Sequence, residues 1–294
     1  MADVSIVIPT YNTGPFLRQT LESALAQDVP GGVEVLVVDD GSTDGTAAAA
    51  RAIGGVRVIE QANAGDSAAR NAGFAATDAP YVLFLDHDDV LRPDAARRHV
   101  GEMADGIDMT VGSNDLIDSS GAVIRQNPQR RRHVSGRDVA MGFTPSFSQC
   151  LYRRAAIERI GGFRPAAGPA ADHDLNLRLL GTREAGLCHG EPVMSYRLHG
   201  GQQTKSPSRL YAAQMTILEE HLGPGGAMED AELLGRARRH WAAYYGQFLP
   251  QEIVRAAMRG EASRAWRAAA SYVGNAPGTM YGTARFWRRR LGRR

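Results

Sequence analysis

Asp86, His87, Asp88 and Asp89 stand together where the apolar run YVLF passes through Leu85 into DHDD, and residues of these types at this spacing suit the holding of a hard cation. Carboxylates this close repel one another and are tolerated where a cation neutralises them. Oxygen-rich sites favour Mg²⁺ or Mn²⁺ over zinc or copper. Asp88 with Asp86, and Asp89 beside them, form a natural ligand set, and a metal held there could itself hold a phosphate. The same residue types also serve a turn that merely ends a strand and caps the next helix. A second run, VEVLVVDD at 33–40, likewise ends in paired aspartates, Asp39 and Asp40, followed by the turn-forming GSTDGT. Two apolar strands that each deliver carboxylates at the C-terminal end fit an open parallel sheet, whose ligand crevice lies outside that edge.

The elements that must position these acids follow from the pattern around them. VSIVI at 4–8 reads as a buried strand that Pro9 ends, and Thr10, Tyr11 and Asn12 open a loop. Pro15 suits the first turn of a helix with Leu17, Leu21, Ala24 and Leu25 on one face. Ser42, Thr43 and Asp44 are cap candidates for a short Ala-rich helix, 56–59 makes a third strand, and NAGDSAARNAGFAAT supplies a loop and helix before the strand at Tyr81. This alternation through residue 90 predicts an α/β fold built from βαβ crossovers on a mostly parallel sheet. A helix is expected from beyond Pro93 to about Met103, then less regular segments compatible with a mixed sheet. The polar, arginine-rich stretch 127–145 reads as a mobile loop over a site. A helix with an acidic start is expected at 172–180 and a short strand at 193–198. The stretch 211–294 has a helical pattern broken by GPGG, Pro250 and Pro277.

A chain of 294 residues, 43% of them hydrophobic, can bury a substantial core. Its net charge of +2 gives no reason to expect a nucleic-acid partner. Lys205 is the only lysine, so the basic character rests on arginine and gathers in the terminal ARFWRRRLGRR. Cys150 and Cys188 cannot form a multi-disulfide framework and show no CxxC spacing, so a reducing compartment is expected. No run approaches the roughly 20 apolar residues of a membrane span. The expected location is cytoplasmic, with peripheral contact at the inner face of a membrane as an extension.

SIVIPTYN, VVDDGSTDGT, NAGDSAARNAG, FLDHDD, GGF followed by ADHDL, and YRLHGGQQT occur in that order, and together they resemble family 2 glycosyltransferases of the GT-A fold. The resemblance covers roughly residues 3–205. It implies a Rossmann-like domain at 1–205, with a mainly helical extension at 206–294. It also implies a nucleotide-diphosphate sugar donor, UDP-linked, a divalent metal, Mn²⁺ or Mg²⁺, and inverting transfer to a hydroxyl of a glycan, lipid-linked or small-molecule acceptor, as in polysaccharide biosynthesis. A cation would stabilise the charge that grows on the leaving phosphate.

By the same resemblance, Tyr11 lies against the base and Asp39 accepts from a uracil ring N–H, with Thr10 and Asn12 bordering the pocket. Asn63 and Gly65 let the backbone approach the nucleotide, or simply make a turn. Arg70 counters phosphate charge or braces the aspartates, or else is a surface helix arginine. Asp86 leans toward the ribose, His87 borders the donor, and Asp86, Asp88 and His199 are the metal ligands. The family's acidic pair before the DL helix stands here as Ala171 and Asp172, which leaves Asp172 as the general base, or as a helix cap, and Asp174 behind it. Gly161, Gly162 and Phe163 shape the approach to Asp172. Because the first acid is missing, a catalytically weak nucleotide-sugar binding or scaffold protein is the alternative. A nicotinamide dehydrogenase would need GxGxxG after a strand, and a sugar-nucleotide pyrophosphorylase a glycine-rich basic loop where this chain has PTYNTGP. Trp266, Tyr272, Phe286 and Trp287 among arginines fit an anionic membrane surface, a solvated helix end or an oligomer contact.

Overall fold

Short apolar runs separated by helices with one apolar stripe build a sheet covered on both faces. The computed structural model describes residues 2–199 and 206–274, with 278, 280 and 283. In chain order the first elements are β1 (Val4–Thr10), α1 (Leu17–Leu25), β2 (Val33–Asp39), α2 (Thr46–Arg51), β3 (Val56–Glu60), α3 (Asp66–Ala75) and β4 (Tyr81–Phe84). Next come β5 (Val90–Leu91), α4 (Ala95–Gly101), β6 (Met109–Ile117), β7 (Val123–Asn127), β8 (Arg132–Val134), α5 (Gly136–Ala140), β9 (Cys150–Arg153) and α6 (Arg154–Arg159). α7 (Ala171–Leu180), β10 (Gly186–Arg197), α8 (Pro207–Leu222), α9 (Ala231–Gly246), α10 (Leu249–Met258) and α11 (Ala262–Gly274) complete the set.

The chain divides into two compact units. The first comprises Met1–Gly136, Pro145–Ala166 and Arg178–Gly200 and holds the sheet, in the order β3-β2-β1-β4-β9-β6-β10-β5, with β7 on β6 and β8 on β10. β3, β2, β1 and β4 run parallel, as do β6 and β10, whereas β9 and β5 pair antiparallel to their neighbours. Every residue of β1 is buried, as a central strand covered on both faces requires. Val4, Ile6 and Ile8 pack with Leu17, Leu21 and Ala24 of α1, so the predicted helix stripe meets the sheet. On the other face α3 lies very close: a Cβ on Gly73 would fall 2.3 Å from Val7 Cγ1 and 3.0 Å from Val38 Cγ2. The strand order reverses between β1 and β4, and the loops that leave their C-terminal ends carry Tyr11 and Asp86.

Several sequence expectations change here. The stretch 127–145 is not a bare loop. It contains β8, antiparallel to Gly186, Leu187 and Cys188, and α5, because Val134 and Val139 are buried anchors that the polar composition hid. The strand expected at 193–198 runs from Gly186 to Arg197, with register shifts around Pro192 that absorb the break suggested by Gly190 and Pro192. The cap of α2 is Gly45 in the left-handed region at φ 85, while Asp44 accepts from the backbone and hydroxyl of Thr46.

The second unit comprises Arg137–Thr144, Ala167–Leu177 and Gly201–Arg294, so the division falls within α7. Its helices close on an aromatic cluster. Trp241 and Tyr245 of α9 stack at 5.8 Å, and the Trp241 indole N–H donates to the Ala140 carbonyl at 2.8 Å. Asp230 caps α9 by accepting from Leu233 N. Glu252 of α10, 5% exposed, accepts from Ser206 Oγ, from Ser208 N and Oγ, and from Arg264 Nε of α11, so four donors offset the burial of its charge. Among the described residues, no helix is long and apolar enough to cross a membrane.

The tie that fixes the acidic turn belongs to the first unit. Arg197, 1% exposed at the end of β10, donates from Nε to the Asp88 carbonyl at 2.9 Å, from Nη2 to Gln19 Oε1 at 2.6 Å and from Nη1 to the Asp118 carbonyl at 3.3 Å. Its guanidinium also lies 4.7 Å from the centre of the Phe16 ring. Replacing Arg197 by Met strips these acceptors of a buried donor and is expected to lower the unfolding free energy by about 3 kcal/mol in urea titration. Arg197→Lys should recover less than half of that, since an ammonium cannot span acceptors set in a fork.

Candidate active site

Each acidic strand end splits its work between two carboxylates. At the end of β2, Asp40 accepts from Gln61 Nε2 at 2.7 Å, from Ala64 N at 2.9 Å and from Gly65 N at 2.8 Å, and so pins the whole loop 61–65. Asp39, 1% exposed, accepts from Ser42 N at 2.7 Å through Oδ1, while its Oδ2 is buried without a hydrogen-bond partner. A buried carboxylate oxygen left unpaired is costly, and a ligand N–H would relieve it. Thr10 pairs in register with Asp39, and Tyr11, 50% exposed, follows Thr10 into the loop that leaves β1. The loop is held by Asn12, whose N–H donates to Ser42 Oγ and whose Oδ1 accepts from Thr43 N. Asn12 adopts φ 49 to do so.

Thr10 is buried, and its hydroxyl donates to the Val38 carbonyl at 3.2 Å. It therefore braces the strand pair, and this contact uses its hydroxyl hydrogen. Asn63 and Gly65 lie exposed on the loop that Asp40 pins, and Asn63 N would sit 3.0 Å from a Cβ on Gly41, so the two loops touch through glycine.

The acids after β4 are sorted in the same way. Asp89 is fully buried, and its Oδ1 accepts from Arg197 N at 3.1 Å. Burial, reinforced by Asp86 and Asp88, pushes its carboxyl well above the usual carboxylate range. It is thus a structural member of the turn. Asp86 accepts from Arg70 Nη2 at 2.7 Å, and its own N–H donates to Ser148 Oγ at 3.1 Å. Enclosure by protein raises its carboxyl, with Arg70 pulling the other way and Asp88 and Asp66 adding to the rise. Arg70 is 6% exposed, lies 4.5 Å from the Phe147 ring centre and keeps a buried, unpartnered Nε. It is a core arginine that braces Asp86, not a surface one.

Asp88 turns elsewhere. Its Oδ2 lies 2.7 Å from His199 Nε2, and the imidazole packs at 4.9 Å against Phe16. His87 is half-buried between the two acids. Among the described residues, no three His, Cys, Asp or Glu side chains gather into a complete metal-holding group. Asp88 and His199 nevertheless present an oxygen and a nitrogen donor in contact, which suits an ion such as Mn²⁺ or Mg²⁺ that takes the rest of its shell from phosphate oxygens and water.

Sequence reasoning missed the supports of this site. Asn71 exchanges two hydrogen bonds with Phe163, Nδ2 to the carbonyl at 2.9 Å and the Phe163 N–H to Oδ1 at 2.8 Å. Phe163 itself packs edge-on against Phe84 and Phe147 in the core, and Gly161 and Gly162, both at φ 74, turn the chain into it. Ser148 carried no signal in the sequence. Gln149, given no role there, donates to the Gly112 carbonyl and Asn114 Oδ1.

In the second unit, Asp172 is the second residue of α7, half-buried, with Oδ1 accepting from His173 N at 2.8 Å. Asp174 is fully buried against His221 Nε2 at 3.1 Å, which makes it an anchor for α8. Ala171, 8% exposed, has no group to offer.

A family model described as Glycosyl transferase family 2 matches residues 5–161, more than half of the chain. Succinoglycan biosynthesis protein ExoU of Rhizobium meliloti is 30% identical over 264 residues, covering 81% of this chain and 74% of that protein. The chain spans only 36% to 52% of the length of three other curated relatives. Among solved structures, S. aureus TarS 1-349 in complex with UDP-GlcNAc superposes with a TM-score of 0.61 at 18% identity, over 99% of this chain and 92% of that one. Mannosyltransferase PcManGT from Pyrobaculum calidifontis, in complex with GDP-Man and Mn²⁺, superposes with a TM-score of 0.61 at 17% identity, over 97% and 87%. At such identities these two likenesses concern the fold, which is of the GT-A type. With the matched residues carrying both acidic strand ends, the chain belongs to glycosyl transferase family 2.

Proposed function

We propose that the protein is an inverting glycosyltransferase that moves a sugar from a UDP-linked donor to a hydroxyl of a glycan, lipid-linked or small-molecule acceptor, with Mn²⁺ or Mg²⁺ assisting. The observation that carries this reading is the buried, unpartnered Oδ2 of Asp39, at the end of a strand whose partner β1 leads into the half-exposed Tyr11. A uracil ring offers one N–H to such an oxygen and a flat face to such a phenol. Residues 1–205 would carry the donor chemistry, and 206–294 an accessory helical region.

When bound, the cation would supply Lewis-acid stabilisation to the leaving diphosphate, and Asp88 with His199 would hold it. Asp86, braced by Arg70, would face the donor ribose as an acceptor for its hydroxyls, with His87 at the border. Asn63 and Gly65 would allow close backbone approach, and Thr10 and Asn12 would keep the base-binding loop in place. Asp172 would take the proton of the attacking acceptor hydroxyl, as an inverting displacement requires of a carboxylate or histidine.

The reading extends to a cytoplasmic enzyme held at the inner face of the membrane. Trp266, 75% exposed on α11, and Met258, 83% exposed at the end of α10, support it, as does the arginine-rich composition of the C-terminus. Phe286, Trp287 and the arginines around them lie outside the described residues.

Calorimetric titration with UDP tests the central claim. The wild type should prefer UDP to GDP, and Asp39→Asn, which turns an acceptor oxygen into an amide, should weaken UDP about 30-fold, the worth of one charge-assisted hydrogen bond. Equal affinity in both proteins would remove Asp39 from base recognition. In the same assay Asp88→Asn should abolish the gain in affinity that Mn²⁺ gives and leave the thermal unfolding transition in place; an undiminished gain rejects Asp88 as a ligand. Truncation after residue 277 should lower co-sedimentation with anionic vesicles at low salt by about fivefold, and unchanged sedimentation would exclude the membrane role of that segment.

A further inference from the structure

One face of α1 holds the turn that carries Asp88. The chain leaves the Tyr11–Asn12 loop through a 3₁₀ turn, Gly14–Phe16, that runs straight into this helix. Phe16, Gln19, Thr20 and Ser23 stand at i, i+3, i+4 and i+7, so they share a face. The fully buried Thr20 hydroxyl lies 2.9 Å from the His87 carbonyl and 2.8 Å from the Asp89 carbonyl, and its hydrogen serves the pair. Ser23 Oγ accepts from Leu91 N at 3.1 Å, and Gln19 Oε1 accepts from Arg197 Nη2 at 2.6 Å. Leu17, Leu21 and Ala24 pack in the core, so the helix that makes these contacts is fixed to the sheet.

Phe16 brings no polar group to this face, yet it touches both side chains that grip Asp88. The Arg197 guanidinium, which donates to the Asp88 carbonyl, lies 4.7 Å from the centre of the Phe16 ring. The His199 imidazole, whose Nε2 lies 2.7 Å from Asp88 Oδ2, packs on the same ring at 4.9 Å and 55°. Arg197 is also held by polar partners, Gln19 and the Asp118 carbonyl. His199 stands past the end of β10, outside the strand ladder. A hydrogen bond at one nitrogen sets where that atom lies but not the plane of the imidazole, and an aromatic side chain packed on the ring sets the plane.

We propose that Phe16 is a positioning residue for cation binding: it holds the His199 imidazole in the plane that keeps Nε2 at Asp88, so that an oxygen and a nitrogen donor stand together ahead of the ion. The proposal rests on the reading of Asp88 and His199 as the metal-holding pair. It also joins that pair to the base-contacting loop, which Phe16 follows through a single turn. Metal and nucleotide should then each raise the affinity of the other, equally in both directions as linkage requires.

The test is calorimetric titration of the full chain with UDP in Mn²⁺ and in excess EDTA, read as the ratio of the two affinities. In Phe16→Leu, which keeps apolar volume and removes the ring, that ratio should fall about tenfold, the lower end of what loss of a group behind a metal-ligating histidine costs. Affinity in EDTA should stay within about twofold, and Phe16→Tyr, which restores the ring, should restore the ratio. His199→Ala should lose the ratio as well. Adding Phe16→Leu to His199→Ala should cost nothing further, because both act through one imidazole. An unchanged ratio in Phe16→Leu, a ratio lost equally in Phe16→Tyr, or an additive loss in the double variant overturns the positioning role. So does equal weakening of UDP in Mn²⁺ and in EDTA, the mark of damage to the loop alone. Should Phe16→Leu not fold, Phe16→Met takes its place and is read in the same way. A ratio near one in the wild type, or a ratio untouched by His199→Ala, rejects the metal-holding pair itself and the proposal with it.

Discussion

The first unit depends on a buried guanidinium. Arg197 ends β10 and reaches the Asp88 carbonyl, Gln19 and the Asp118 carbonyl, while its own amide holds the Asp89 carboxylate. A charge this deep is stable only where its donors are met, and here they are met by groups from separate stretches of chain. The acidic turn after β4, the start of α1 and the β6–β7 connection are therefore fixed by one side chain. Burial raises the Asp89 carboxyl, with Asp86 and Asp88 reinforcing the rise, and the Arg197 amide holds it within the turn. The mutual repulsion expected of clustered aspartates is met by protein donors, Arg70 on Asp86 and the Arg197 amide on Asp89.

The same logic runs through β2. Paired aspartates at a strand end point to opposite sides of the ladder, so one can be spent on structure while the other faces the crevice. Asp40 satisfies two backbone N–H groups and a side-chain amide in the loop 61–65, and that loop leads into α3. α3 in turn delivers Arg70 to Asp86 and Asn71 to Phe163, and it lies close enough to β1 and β2 that Gly73 has no room for a Cβ. Positioning of the candidate donor residues thus passes through one helix whose place is set by a glycine and two polar anchors.

Legibility followed chemistry that leaves a local pattern. The runs at β1, β2 and β4, and the acidic ends of β2 and β4, were visible because strand hydrophobicity and terminal aspartates leave a local pattern in sequence. The pairing of Asp88 with His199 joins residues 111 positions apart, and only the family resemblance suggested it. Which aspartate of each cluster is structural was hidden, because burial of Asp89 and Asp40 depends on partners from distant segments. The stretch 127–145 misled for a related reason: β8 has three residues, only Val134 of them buried, so its pairing with β10 leaves no periodicity to read. In β10, Gly190 and Pro192 look like a strand break, yet a shift of register carries the pairing past them.

Ala171 bears on the alternative of a weak nucleotide-sugar binding protein. An acid at that place would sit at the first residue of α7, where the side chain is 8% exposed, and would stand beside Asp172 as a second carboxylate. Two adjacent acids share repulsion, which raises the pKa of one of them and lets it hold a proton when the other is ionised. Alanine removes that coupling, and Asp172 stands half-buried at the start of α7, where the macrodipole favours a carboxylate. The chain thus keeps a carboxylate at the helix start where the proposed base stands, and the alanine at 171 bears on how a proposed acceptor would be held more than on that carboxylate.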